Sequence, residues 1–260
     1  MRAIAVVIPA YNEASTIADV VRRVCRYRDW VIVVDDGSDD GTLGRLDGLP
    51  VTVLRHAVNQ GKAASLWHGM GFALEHCAGA VITLDGDGQH CPEDIPRLLA
   101  AGERYPGRII IAARSRKRGQ APAMRRFANG IADFWISWAA GYPLRDSQSG
   151  FRLYPAAVLK QINVPHDRRR SFVFESEVLI EAARRGHYPV FIPIDSLYHD
   201  KARASYYRPW TDTLGIVRMV SWKLLARGLY PQGLLRYIGL WLAQKANFGV
   251  KPHHRTRGKT

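Results

Sequence analysis

The first half of the chain alternates short β-branched runs with segments of helical periodicity, and this order limits the possible folds more than any other feature. Strand–helix–strand alternation predicts an α/β fold, a mostly parallel sheet with helices on both faces. The runs predicted as buried strands are Ala3–Ile8, Val31–Asp35, Val51–Leu54, Ala80–Leu84 and Ile109–Ala112. The segments predicted as helices between them are Glu13–Tyr27, Lys62–His76 and Pro92–Arg104.

A polar loop follows each of the first four predicted strands. The loops are Pro9–Glu13, Asp35–Thr42, Arg55–Lys62 and Asp85–His90. Ordinary turn chemistry explains one such loop, but four in order are a stronger signal. Because ligands of such sheets bind beyond the carboxyl ends of the strands, we expect the four loops to form one site.

Asp85 and Asp87 follow a very apolar strand and are separated by one glycine. Carboxylates at this spacing can both face one site where the backbone leaves strand geometry. Hard oxygen ligands that leave positions for phosphate oxygens suit Mg²⁺ or Mn²⁺. We therefore predict a divalent metal at Asp85 and Asp87, with Gln89 as a third ligand. Such a metal bridges a diphosphate and neutralises charge on the leaving group.

The other loops favour a nucleotide. A carboxylate of the Asp35–Asp36 pair can accept hydrogen bonds from ribose hydroxyls or a base N–H, and Lys62 at a helix start can hold a phosphate or ribose. Neither GxxxxGK[ST] nor GxGxxG occurs in the chain, which argues against an ATPase and against a dinucleotide dehydrogenase.

The segments PAYNE, VVDDGSDDGT, NQGKAAS, DGDGQHCPED and DSQSGFRLY occur in this order and resemble family-2 glycosyltransferases of the GT-A fold. The branch that they resemble most is the dolichol-phosphate mannosyltransferase-like, or polyprenyl-phosphate glycosyltransferase, branch. The resemblance covers about residues 3 to 200 and implies an inverting enzyme that uses a nucleotide-diphosphate sugar. It places Pro9, Tyr11, Glu13, Asp36 and Lys62 in the nucleotide pocket, and Asp85, Asp87 and Gln89 at the metal and the sugar diphosphate.

The same resemblance extends to the acceptor half. In the related enzymes, arginines at places corresponding to Arg114, Arg125 and Arg126 hold the phosphate of a lipid acceptor. Guanidinium groups suit a phosphate because they supply both charge and orientation. A solvated basic face is the alternative interpretation of these arginines.

The catalytic residues predicted on this basis are Asp87, Asp146, Arg114 and Arg126. Asp146 either acts as a base or anchors its loop, and the acceptor decides which. A phosphate acceptor is already ionised near neutral pH, whereas a sugar or lipid hydroxyl needs a general base. For a hydroxyl acceptor in a glycolipid, polysaccharide or lipid pigment, Glu175 and Glu177 are rival bases, unless they only supply charge at a helix start.

The formal net charge of +14 is unevenly distributed, since residues 201–260 contain 12 Lys and Arg and one acid and so carry 11 of these charges. The asymmetry favours an anionic partner. A nucleic acid is the weaker choice because it leaves the acidic motifs unexplained. Thr211–Leu229 and Gln232–Asn247 instead have wide apolar faces interleaved with cations and aromatic rings, a composition typical of helices in a membrane interface. Packing of these helices onto the core would give similar periodicity.

These patterns predict three regions: a GT-A catalytic domain at 1–205, an amphipathic membrane-associating region at 206–250 and a disordered basic tail at 251–260. No run reaches about 18 uncharged apolar residues, so we expect no spanning helix. Three widely spaced cysteines and a start without a cleavage site suit a cytoplasmic chain. We expect a protein bound peripherally to the inner face of the cytoplasmic membrane. Its oligomeric state is left open.

Overall fold

A computed structural model describes residues 3–114, 123–166, 173–194 and 209–249 of the chain, and their side chains except at 114, 123–129, 209–213 and 245–249. Within these ranges, seven strands form one sheet, in the order β3-β2-β1-β4-β6-β5-β7. The strands are β1 (Ile4–Ala10), β2 (Val31–Asp35), β3 (Thr52–Arg55), β4 (Ala80–Thr83), β5 (Ile110–Arg114), β6 (Arg152–Pro155) and β7 (Val190–Ile194).

The helices alternate with the strands through the first half of the chain. They are α1 (Ile17–Cys25), α2 (Lys62–Glu75), α3 (Ile95–Arg104), α4 (Ala123–Ala140), α5 (Ala156–Leu159), α6 (Phe174–Arg184), α7 (Pro209–Leu225) and α8 (Pro231–Gly249). The mostly parallel sheet predicted from the alternation is confirmed. The strands β6 and β7 were not predicted. The strand β7 is parallel to β5, whereas β6 is antiparallel to β4 and β5 and lies between them.

The core lies on both faces of the sheet, as parallel sheets require. One cluster packs α1 and α3 against one face, and the other packs α2, α4, α6 and α7 against the opposite face. Helix α2 approaches the sheet closely at Gly69, where a Cβ atom would lie 2.5 Å from Val7 Cγ1. This approach sets the start of α2, and with it Lys62, beside the carboxyl ends of the central strands.

The C-terminal helix α7 packs one side against the core and exposes the other. Ile216, Met219, Val220 and Leu224 are buried in the core cluster. Lys223 Nζ fixes α7 to α6 through Glu177 Oε1 at 3.0 Å and Glu181 Oε1 at 2.7 Å. The region predicted as separate from the catalytic domain therefore contributes to its core.

The outer sides of α7 and α8 carry exposed apolar residues at helical spacing. This exposed apolar face comprises Leu214, Val217, Trp222 and Leu225 of α7 and Leu235, Ile238, Trp241 and Leu242 of α8. No helix in the described ranges is both long enough and apolar enough to cross a membrane. The tail predicted to be disordered, 251–260, lies outside the described residues.

Candidate active site

The four polar loops meet at the carboxyl edge of the sheet, around the point where the strand order reverses. The chain leaves β1 toward β2 and β3 on one side, and returns to β4 on the other side of β1. The loops that follow β1 and β4 therefore flank one crevice, the position at which open α/β sheets bind ligands. The sequence prediction that these loops converge is confirmed by hydrogen bonds between them.

Hydrogen bonds join the loop after β1 to the loops on both sides of it. The Asn12 amide donates to Ser38 Oγ at 2.9 Å, and the Glu13 amide donates to Thr42 Oγ1 at 2.8 Å. On the other side, Thr16 Oγ1 donates to the Gly86 carbonyl at 2.8 Å. The loops after β1, β2 and β4 are thus one connected structure.

Asp36 organises the loop that precedes α2. Asp36 is 2% exposed, and its carboxylate accepts the backbone amides of Gln60 and Gly61 at 2.8 and 2.7 Å. His56 Nδ1 lies 2.8 Å from the same carboxylate, and His56 Nε2 lies 2.9 Å from His68 Nδ1. Asp36 therefore holds the residue immediately before Lys62 in place.

Lys62 bridges two carboxylates that belong to different parts of the chain. Its Nζ lies 2.8 Å from Asp85 Oδ1 and 2.8 Å from Glu175 Oε1. Burial lowers the pKa of Lys62, but the charges of Asp85 and Glu175 outweigh burial and hold that pKa above its usual range. Burial likewise raises the pKa of Asp85, yet Lys62 and His90 outweigh it and hold that pKa far below the usual range. Both groups are therefore ionised at neutral pH.

Asp87 lies next to this pair in a different electrostatic situation. Burial raises its pKa, and the neighbouring negative charge of Asp85 raises it further. The Gln89 backbone amide donates to Asp87 Oδ1 at 2.9 Å, which fixes the turn around Gly88. The repulsion between the Asp85 and Asp87 carboxylates would be relieved by a cation bound between them.

The segment 146–150 closes the site from the side of β6. Gly150 abuts Asp85, since a Cβ atom on Gly150 would lie 2.8 Å from both carboxylate oxygens of Asp85. The fully buried Arg152 donates to the carbonyls of Ser147, Ser149 and Glu175 at 2.8, 2.6 and 2.7 Å. Arg152 thereby joins this segment to the start of α6.

Asp146 lies at the beginning of that segment in the left-handed region, with φ of 46°. Its carbonyl accepts the Ser149 amide at 3.0 Å, so its backbone forms the turn. The segment is also tied to α4, where Asp133 Oδ1 accepts the Ser147 hydroxyl at 3.0 Å. The choice between base and anchor for the Asp146 side chain stays a prediction.

The remaining predicted residues are placed as follows. Pro9 lies in β1 opposite Val34, and Tyr11 and Glu13 lie in the loop that follows. Arg114 ends β5, and Arg125 and Arg126 lie near the start of α4, but their side chains lie outside the described residues. Their prediction as acceptor-phosphate ligands is therefore untested by side-chain geometry.

Sequence reasoning missed several contacts of this site. The contact of Glu175 with Lys62, the abutment of Gly150 on Asp85 and the position of His56 beside Asp36 all join segments far apart in the chain. His90 also belongs to the site, since its Nε2 lies 3.7 Å from Asp85 Oδ2. The one sequence signal available was that Gly150 and Arg152 fall within the DSQSGFRLY segment.

The chain matches known proteins over most of its length. It is 27% identical to an undecaprenyl-phosphate mannosyltransferase of Micrococcus luteus, in an alignment that covers 90% of this chain and 98% of that protein. It is also 27% identical to a UDP-N-acetylglucosamine–dolichyl-phosphate N-acetylglucosaminyltransferase of Methanococcus voltae, over 76% of this chain and 87% of that protein.

Among solved structures, the fold is similar to that of glucosyl-3-phosphoglycerate synthase from Mycobacterium tuberculosis in complex with Mn²⁺, UDP and glucosyl-3-phosphoglycerate. The TM-score is 0.63 at 21% identity, covering 87% of this chain and 80% of that one. The family model for glycosyl transferase family 2 matches residues 5–162. With its sheet, its acidic crevice and this match, the chain belongs to glycosyl transferase family 2.

Proposed function

We propose that the protein transfers a sugar, with inversion, from a nucleotide-diphosphate sugar to a polyprenyl-phosphate acceptor at a membrane surface. The observation that carries the proposal is the pair Asp85 and Asp87 at the reversal point of the sheet, with Lys62 against it. Anionic and cationic groups in one crevice suit a diphosphate that arrives with a divalent cation.

The carboxylates fit Mg²⁺ or Mn²⁺. No cluster of three or more His, Cys, Asp or Glu side chains arranged to hold a metal occurs within the described part of the chain. A site with two carboxylates, Asp85 and Asp87, instead leaves coordination positions to phosphate oxygens and water, as Mg²⁺ sites commonly do. Gln89 adjoins the pair and completes the proposed ligand set. When bound, the metal supplies charge neutralisation for the departing nucleoside diphosphate.

The loop residues carry the donor nucleotide in this proposal. Pro9, Tyr11 and Glu13 form one wall of the crevice, and Lys62 faces the diphosphate. Asp36 acts on the nucleotide pocket through the loop that it holds, because its carboxylate already accepts two backbone amides. The structure of this pocket therefore depends on a buried, hydrogen-bonded carboxylate.

The proposed acceptor is a phosphate, as the names of the two relatives suggest. An oxygen of the acceptor phosphate attacks the anomeric carbon from the face opposite the nucleotide, and the bond from that carbon to the diphosphate oxygen breaks. Arg114, Arg125 and Arg126 are proposed to hold the acceptor phosphate, and no proton has to be removed from it. Asp146 then serves as a loop anchor.

The exposed apolar face is proposed to lie in the membrane interface, where the acceptor lipid resides. Arg218 lies on α7, Arg236 lies on α8 and Arg227 lies in the turn between them, and anionic lipids attract such cations. We infer a peripheral protein on the cytoplasmic face of the membrane. Interfacial helices of this kind bury an apolar side while their cations remain at the headgroups.

The test is a turnover assay with a panel of nucleotide sugars, Mn²⁺ or Mg²⁺, and two acceptors: undecaprenyl phosphate and the corresponding free polyprenol. Donors are first ranked by thermal stabilisation, because a bound ligand raises the melting temperature by mass action. We expect a glycosyl phosphodiester of inverted anomeric configuration from the phosphate acceptor alone. Turnover on hydroxyl acceptors, such as glycolipids, without turnover on polyprenyl phosphate would refute the acceptor assignment.

A further inference from the structure

The ion pairs of Lys62 affect how a divalent cation and the donor can bind to the site. Its ammonium contacts Asp85 and Glu175 at the same distance, 2.8 Å. In the described structure, His90 also lies near Asp85, but at the longer distance of 3.7 Å. Lys62 therefore occupies, as an internal counter-ion, a carboxylate assigned above to the metal.

We propose that Lys62 is an exchangeable counter-ion of Asp85, and that Glu175 is the positioning residue that retains it when a divalent cation binds. The inference rests on the metal-dependent donor site of the proposed function. A divalent cation on Asp85 and the ammonium on the same carboxylate would repel each other at short range, and this repulsion is strong in a partly buried site. Binding of the cation therefore requires Lys62 to leave Asp85.

Glu175 gives the ammonium a place to remain. The Glu175 side chain is 7% exposed, and its backbone carbonyl accepts Arg152 Nη1 at 2.7 Å, which fixes the start of α6. A buried ammonium that lost one carboxylate without retaining another would be costly. With Glu175 fixed, Lys62 can leave Asp85 and keep Glu175 as its partner. It then stays within the crevice, where it can contact the diphosphate that arrives with the metal.

The experiment titrates the protein with Mn²⁺ and follows free Mn²⁺ by electron paramagnetic resonance, with and without UDP or GDP. In Lys62→Met, Asp85 is no longer blocked, and without nucleotide we expect Mn²⁺ to bind about tenfold more tightly, the scale of one charged hydrogen bond. In Glu175→Gln, Lys62 is left to Asp85 alone, and we expect Mn²⁺ to bind several-fold more weakly. Lys160→Met and Glu103→Gln, at exposed positions, change the net charge equally and serve as controls.

A double-mutant cycle distinguishes this exchange from independent electrostatic effects of the two charges on Mn²⁺ binding. If Glu175 acts through Lys62, the effect of Glu175→Gln largely disappears in the Lys62→Met background, whereas independent charges give additive effects. Additive effects, or unchanged Mn²⁺ affinity in Lys62→Met, would overturn the proposed exchange. The metal site is tested separately, because loss of Mn²⁺ binding in Asp87→Asn would uphold that site even if the exchange is overturned. If the unchanged protein binds no Mn²⁺ with either nucleotide, the metal site fails and the exchange fails with it.

Discussion

The exposed apolar face gives a prediction whose size follows from the structure. Trp222 is 72% exposed and Leu225 is 64% exposed, and both lie on the outer side of α7. At about 25 cal/mol per Å², full withdrawal from water is worth about 4–5 kcal/mol for a tryptophan and about 2 kcal/mol for a leucine. If an interface withdraws about half of the exposed area, the two side chains contribute about 2.3 kcal/mol, or roughly 40-fold in the partition coefficient.

The variant is Trp222→Ser with Leu225→Ser, and the assay is sedimentation with vesicles of phosphatidylcholine and phosphatidylglycerol. We expect a fall of about 40-fold in partitioning, with an unchanged melting temperature because both residues are exposed. Val53→Ser is the matched control, since Val53 is a 40% exposed apolar residue on β3 at the far edge of the sheet. Wild-type partitioning of the double variant at low and high salt would refute the membrane assignment of this face.

Four further predictions concern the site and its attachment. Asp87→Asn should abolish stabilisation by Mn²⁺ with the donor while the ligand-free melting temperature holds; stabilisation equal to that of the exposed-site control Asp47→Asn would contradict the metal assignment. Gly150→Ala should displace the Asp85 carboxylate and weaken Mn²⁺ binding in a calorimetric titration; wild-type affinity would contradict the close packing. His56→Ala should remove a bond to Asp36 and cost about 1 kcal/mol of unfolding free energy in urea, with a raised donor KM; no change in either would show that Asp36 holds its loop unaided. Lys223 and Arg185 outweigh burial and lower the pKa of Glu181 from 4.5 to about 2. Glu181→Gln should therefore destabilise the protein by about 1–2 kcal/mol above pH 4.5, after screening is allowed for, and this difference should vanish as the pH falls toward 2. Thermal unfolding across this pH range measures the difference, and a pH-independent difference would refute the ionic role.

The donor half of the site could be predicted because its signals are local. Each strand from β1 to β4 is a short apolar run, and each polar loop follows directly in sequence, so the topology rule alone brings the loops together. Strand bounds differ by one or two residues, as for Ala3–Ile8 against the observed Ile4–Ala10. Such differences do not move a loop to another edge of the sheet.

The unpredicted features depend on contacts between distant segments. The strand β6 begins with Arg152 and ends with Pro155, so it lacks the apolar run that predicted the other short strands, and its antiparallel placement is set by pairing with β4 and β5. The partner of Lys62 across the crevice, Glu175, is more than 100 positions away in sequence, where it was predicted as a rival base or a helix-start charge. Nothing local indicates that this glutamate pairs with Lys62.

Helix α7 shows why its packing side could not be chosen from sequence. Apolar residues occur all round it, with Ile216 and Met219 buried and Leu214 and Val217 exposed, so periodicity allowed both core packing and an interfacial helix. The structure shows that core packing applies to one side of α7, since that side belongs to the core. The exposed side retains the apolar residues that the membrane prediction requires.

The two halves of the proposed function meet on α6. Glu175 contacts Lys62 in the donor crevice, and Glu177, two residues later, contacts Lys223 of α7. Since both carboxylates project from one helix turn, the tilt of α7 in a membrane interface would set the orientation of the donor crevice toward the bilayer. A phosphate acceptor held at headgroup depth needs such a fixed orientation, because in-line attack at the anomeric carbon tolerates little misplacement. On the proposed membrane assignment, the ion pair between Lys223 and Glu177 therefore couples the orientation of α7 to that of the donor crevice.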